Sequence, residues 1–135
     1  RTFYMGVDPV MEQNNAIYRE QSLLVQELAE NSDCVIVGRS ADYILRDKNP
    51  LRLFIYADME SRMERCRKRA PEQEHFTDKE LRRHIQDVDK RRSKYYQFFT
   101  GQTWGEKLNY DLCINSGKLG FEKTVELIES YINIK

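Results

Sequence analysis

The chain has 135 residues, 22 of them basic and 22 acidic, so its formal net charge is zero. That length buries one core and suits a single domain over residues 1–135. A neutral balance argues against a protein whose main partner is the nucleic-acid backbone, and no apolar run reaches the roughly 18 residues of a membrane span, so neither nucleic acid nor membrane is an expected partner.

Arg1 to Val10 reads as the middle of something rather than a natural beginning. From Met11 to about Glu30, Ile17, Leu24 and Leu28 recur at helical spacing, with Ala16, Leu23 and Val25 widening the stripe. This predicts an amphipathic helix. Asn31 and Ser32 stop it, and Cys34-Val-Ile-Val37 follows as a short apolar run without alternation, the pattern of a strand buried on both faces. Ser40 is placed to cap a short helix through about Arg46, and a polar loop at 47–50 leads to a second buried strand, Leu51–Tyr56.

Asp58 is placed to cap a helix that runs to about Arg69, before Pro71 forbids continuation. Residues 71–76 show no core-forming pattern and read as an exposed, mobile loop. Thr77-Asp-Lys-Glu80 is a capping box opening a long helix through about Phe98. A third strand is expected at Tyr110–Ile114, and a last helix at about Phe121 to Tyr131. Strands alternating with helices imply right-handed crossovers and a parallel sheet.

Cys34, Cys66 and Cys113 are odd in number and none has CxxC spacing, which indicates neither a zinc site nor a disulfide framework. A reducing, cytoplasmic compartment is expected. No basic segment leads into an apolar core as a signal peptide would.

Three places could carry chemistry. Gly38 ends the first expected strand and Arg39 follows at once. Ligands of open α/β sheets bind beyond the carboxyl ends of strands, where a guanidinium fork suits a phosphate; a plain surface arginine is the blander reading. Arg62, Arg65 and Arg69 are three and four apart, so one helix face carries all three. They describe either a solvated face paired with Glu60 and Glu64, or a lid segment at about 62–80 that closes over polyphosphate. On the long helix, Asp89 and Arg92 are one turn apart and can hold each other while facing a ligand.

The basic residues around them, with Tyr95, Tyr96, Phe98 and Phe99, also permit a nucleic-acid reading, although aromatics at helical spacing more simply pack the helix end. His75 and His84 have no matching acid or nucleophile, so triad chemistry has no support. Neither GxGxxG nor the phosphate-cradling GxxxxGK[ST] occurs.

In order along the chain, Val35-Ile-Val-Gly-Arg39, the strand 51–56 leading into Ser61-Arg-Met-Glu-Arg65, Asp89-Lys-Arg-Arg92 with Tyr95-Tyr96, Trp104, and Tyr110-Asp-Leu-Cys-Ile-Asn115 with Lys118-Leu-Gly120 resemble the cytidylate kinase-like proteins. These are relatives of the nucleoside monophosphate kinases, and the match runs from about Ala16 onward. The resemblance implies a three-layer α/β/α parallel sheet of the P-loop NTPase type. It implies transfer of the ATP γ-phosphoryl to a small acceptor, a pyrimidine nucleoside monophosphate such as CMP, with ATP and Mg²⁺ as cofactors.

By resemblance, Arg39 holds the acceptor monophosphate, and Asp89 and Arg92 belong to the acceptor nucleotide site. Arg62 and Arg65 approach the donor phosphates as catalytic lid arginines, and Arg69 fits a register in which lid arginines are four apart. Asn115, Ser116 and Lys118 lie in the loop that approaches the donor's adenine. The chain departs from the bacterial cytidylate kinases in three ways. Ile85 stands where they have an arginine one turn before the aspartate, and Ser40 where an aspartate follows Gly-Arg. The family's first strand, P-loop and following helix have no counterpart, so the sequence is expected to be the C-terminal two-thirds of a longer chain. A non-catalytic nucleotide-binding protein on the same fold and a nucleic-acid-binding module are the rival readings.

Overall fold

A computed structural model describes residues 9–69 and 75–134. It shows a helix-rich α/β chain with a small parallel sheet, divided into two compact units, Arg1–Pro50 and Leu51–Lys135.

In the first unit, helix α1 (Pro9–Asn31) turns its Val25 onto Ala41 and Leu45 of the short helix α2 (Ala41–Ile44) and its exit. Ala29, Ile36 and Ile44 close this cluster. Two expectations are corrected here. Residues 33–37 form no strand and pair with none among the described residues. Ile36 packs inward, while Val35 and Val37 are 93% and 87% exposed. An apolar run marks a chain able to be buried on both faces, but burial also needs neighbours that satisfy its backbone. The second correction concerns Ser40, which is buried and left-handed and makes no side-chain cap. Its carbonyl instead accepts from the Tyr43 and Ile44 amides at 3.0 and 2.9 Å.

In the second unit, strands β1 (Leu53–Tyr56) and β2 (Leu112–Asn115) pair in parallel, from Leu53 opposite Leu112 to Tyr56 opposite Asn115. Asp111 fixes the start of this register: its carboxylate accepts from the Arg52 amide at 2.7 Å and pairs with the Arg52 guanidinium at 3.3 Å. The Phe54 ring stands edge-on to Trp104 and tilted against Tyr110, at centroid separations of 5.4 and 4.9 Å.

Helix α3 (Met59–Arg69) follows β1, and helix α4 (Asp78–Thr100) packs on it through Met63, Leu81 and Ile85. The capping box is as expected: the Glu80 amide donates to Thr77 Oγ1, and the Thr77 amide donates to Glu80 Oε1. Most of the loop expected at 71–76 lies outside the described residues. Its last member, Phe76, is half-buried against the α3–α4 core rather than exposed. Tyr96 packs the end of α4 as expected, buried, with its hydroxyl donating to Gln102 Oε1.

Helix α5 (Ser116–Ile134) begins directly after β2 and breaks at Gly120, whose φ of 79° and ψ of 170° lie in a region that is essentially glycine-only. The break makes Phe121 the first residue of the long segment, where the apolar stripe placed it.

Candidate functional site

Because β1 and β2 are parallel, their carboxyl ends emerge side by side, and both following helices start there. Asp58 caps α3: the Ser61 amide donates to its Oδ1 at 2.8 Å and the Ser61 hydroxyl to its Oδ2 at 3.0 Å. These two bonds, the backbone one first, hold the Asp58 carboxyl below the ordinary aspartate range. Across from it, the Gly117 amide donates to Asn115 Oδ1 at 3.0 Å. A Cβ on Gly117 would stand 2.9 Å from Asp58 Oδ2 and 3.0 Å from Ser61 Oγ, so only a glycine lets the start of α5 approach this closely.

The three α3 arginines share one face, as their spacing predicts, and all three line one cleft of about 460 Å³. Their partners differ. Arg62 makes a two-pronged contact with Asp89 of α4, at 2.7 and 2.8 Å. Arg65 donates to the Ser116 hydroxyl at 3.0 Å and carbonyl at 2.8 Å, and its guanidinium lies 4.3 Å above the centre of the Phe121 ring. Arg69 has neither ion pair nor hydrogen bond among the described residues and stands exposed at the cleft rim. Among the described residues these arginines pair with neither Glu60 nor Glu64; within α3, Glu64 takes Lys68 instead, at 3.0 Å.

From α4, His84, Ile85, Val88 and Arg92 complete the wall. Asp89 is held by Arg62 and not by Arg92, so the expected local pair on α4 is replaced by one between helices. Arg92, like Arg69, is left exposed toward the cleft without a partner among the described residues. Ile85 is buried against Met63 and Leu81, an apolar setting where a charge would be costly.

A smaller cavity of about 250 Å³ lies on the other side of Arg65 and Phe121, lined also by Ser61, Glu64, Lys68, Gly117 and Gly120. Ser116, expected near a ligand, is 1% exposed, and its hydroxyl donates to the Tyr56 carbonyl at 3.1 Å while accepting from Arg65. Lys118 is exposed and Asn115 half-buried. Arg39, in the first unit, is exposed in a run of left-handed residues, with φ of 73°, 61° and 53° at Gly38, Arg39 and Ser40. Sequence reasoning missed His84 and Phe121 as wall residues. The apolar stripe of α5 concealed Phe121, and a lone histidine carries no spacing signal.

The second unit thus presents an open cleft lined by four guanidinium groups, and the Asp89 carboxylate beside it is paired with Arg62. Such a surface is chemically suited to an anion.

A family model described as the cytidylate kinase-like family matches residues 2–118. No curated protein matches the chain. Among solved structures, the crystal structure of an uncharacterized protein from Eubacterium ventriosum is 29% identical and superposes with a TM-score of 0.78. The match covers 95% of this chain and 69% of that one.

Proposed function

The chain belongs to the cytidylate kinase-like family, and on that premise we propose that it serves a nucleotide kinase, moving the γ-phosphoryl of ATP to a pyrimidine nucleoside monophosphate such as CMP. The observation that carries the reading is the arginine-lined cleft between α3 and α4, with Arg69 and Arg92 uncommitted. Phosphoryl transfer asks a protein mainly to align the reactants and offset charge on the transferring group. Two guanidinium groups on facing helices, without a partner among the described residues, are suited to both.

In this reading Arg69 binds the donor phosphates, while Arg62 and Arg65 set the geometry of the wall and reach the phosphates when their present partners release them. Arg92 and Asp89 belong to the acceptor nucleotide, and Arg39 to the acceptor's monophosphate. The smaller cavity beside Arg65 and Phe121 has the flat, partly apolar surfaces that a base stacks on, with Asn115 and Lys118 at the same strand-to-helix turn. Ser116 contributes by fixing Arg65. Among the described residues no group of three or more His, Cys, Asp or Glu side chains is arranged to hold a metal, and in this reading Mg²⁺ would arrive with the nucleotide's phosphates. When bound it offsets their charge. The complete three-layer P-loop fold and a cytoplasmic location belong to the same proposal. Among the described residues, no helix is long and apolar enough to cross a membrane.

The test is phosphoryl transfer from ATP to CMP by the full protein. Arg69→Ala and Arg92→Ala should each lower kcat/KM by roughly 100-fold, and Arg39→Ala should weaken monophosphate binding far more than ATP binding. Equal loss for both ligands would contradict the role of Arg39. Nucleotide binding without turnover would instead support a non-catalytic nucleotide-binding protein on the same fold.

A further inference from the structure

The cleft has a member that neither the family resemblance nor the phosphotransfer reading assigns. His84 lines it on α4, on the same wall as Arg92 and opposite Arg69. It is exposed, with its ring 5.9 Å from that of Phe76 and tilted to it, so one edge is occupied by an apolar neighbour. We propose that His84, Arg69 and Arg92 together form the anion-binding corner of the cleft, and that protonation of His84 strengthens its hold on a phosphate-type dianion. The inference rests on the cleft being the phosphate site.

Arg62 and Arg65 are committed to Asp89, Ser116 and Phe121. Arg69, Arg92 and His84 have no hydrogen bond or ion pair among the described residues, so their donors are available to a ligand. Histidine is the one ordinary side chain that gains charge between pH 8 and 5. Among the described residues, charged and titratable groups neighbour it on both helices. On α3 these are Arg62, Arg65, Cys66 and Arg69. On α4, Glu80 one turn back is engaged by the Thr77 amide, Asp87 lies three residues on, Asp89 is taken by Arg62, and Arg92 lies two turns on. Phe76 and Phe121 add no charge. A bound dianion favours the charged imidazolium, which adds a donor and a positive charge to those of the two arginines. Ligand and proton should therefore bind cooperatively.

The test is titration of the full protein with inorganic sulfate, whose charge is constant between pH 6 and 8, followed by the shifts of the arginine side-chain NMR signals. Affinity should rise roughly fivefold from pH 8 to pH 6. His84→Gln should abolish that gain, and His84→Arg should bind at pH 8 about as tightly as the parent at pH 6. Arg69→Ala and Arg92→Ala should lower affinity at both pH values. Sulfate binding that needs both arginines but is independent of pH, or is unchanged in His84→Gln, overturns the role of His84 and leaves the phosphate cleft standing. Binding indifferent to all three residues overturns both.

Discussion

Arg62 and Asp89 grip each other with both prongs, and each side chain is less than one-third exposed, at 30% and 26%. Paired geometry and partial shielding from water lift such a contact above the usual surface ion pair. A double-mutant cycle with Arg62→Gln and Asp89→Asn, followed by urea unfolding, should give a coupling of about 1 kcal/mol. A coupling near zero would mean that the contact does not tie α3 to α4. Gly117 poses the opposite problem, one of space. Alanine there would gain helix propensity, but its Cβ would press on Asp58 Oδ2 and Ser61 Oγ, two atoms already bonded to each other. Gly117→Ala should destabilise by about 1–3 kcal/mol. A neutral or stabilising result in the same unfolding assay would show that the Asp58–Ser61 cap yields easily. The spacing of Arg62, Arg65 and Arg69 was readable from the chain because it depends only on helical geometry. Their partners, Asp89 at 27 residues' separation and Ser116 at 51, were not, since they depend on how helices and strands come together.

At the scale of elements, the helices that carry the cleft are begun by carboxylates acting as acceptors. Glu80 is held below its ordinary range by the Thr77 amide and then by the Thr77 hydroxyl, and Asp58 is lowered by Ser61 in the same way. For a carboxyl whose folded pKa is depressed, the unfolded chain binds the proton more readily. Its contribution to stability is therefore present above the unfolded value and lost as pH falls through the folded one. Stability should be flat across neutral pH and fall below about pH 4, and Asp58→Asn with Glu80→Gln should flatten that acid limb in urea titrations. An acid limb unchanged in the double variant would assign the loss to other carboxylates. Thr77→Ala should cost about 1 kcal/mol at neutral pH, because it leaves the Glu80 amide without its cap. These caps were legible because they are local patterns of four residues. The segment 34–37 was legible only as apolar. Whether such a run becomes a strand depends on neighbours distant in sequence, and here Ile36 alone turns inward.

Over these 135 residues the charges cancel, so net charge supplies no attraction for anions and their binding must come from the local arrangement of arginines in the cleft. That separates a nucleotide-sized ligand from a nucleic acid. A polyanionic strand gains from many dispersed contacts and releases counterions at each, whereas a triphosphate gains only from the few guanidinium groups it touches. Arg91 and Lys94 lie on α4 but do not line the cleft. In the full protein, Arg91→Ala and Lys94→Ala should leave inorganic triphosphate affinity within about twofold, while Arg69→Ala and Arg92→Ala weaken it roughly tenfold or more. Raising salt from 50 to 500 mM should weaken triphosphate binding only modestly, because the contacts are shorter than the screening length. Single-stranded oligonucleotides should bind poorly at either salt. If an oligonucleotide instead binds tightly at low salt, and that binding collapses on changing Arg91 and Lys94, the long helix is a nucleic-acid surface. The neutral balance would then have concealed a local stripe, and the cleft would lose its claim as the principal site.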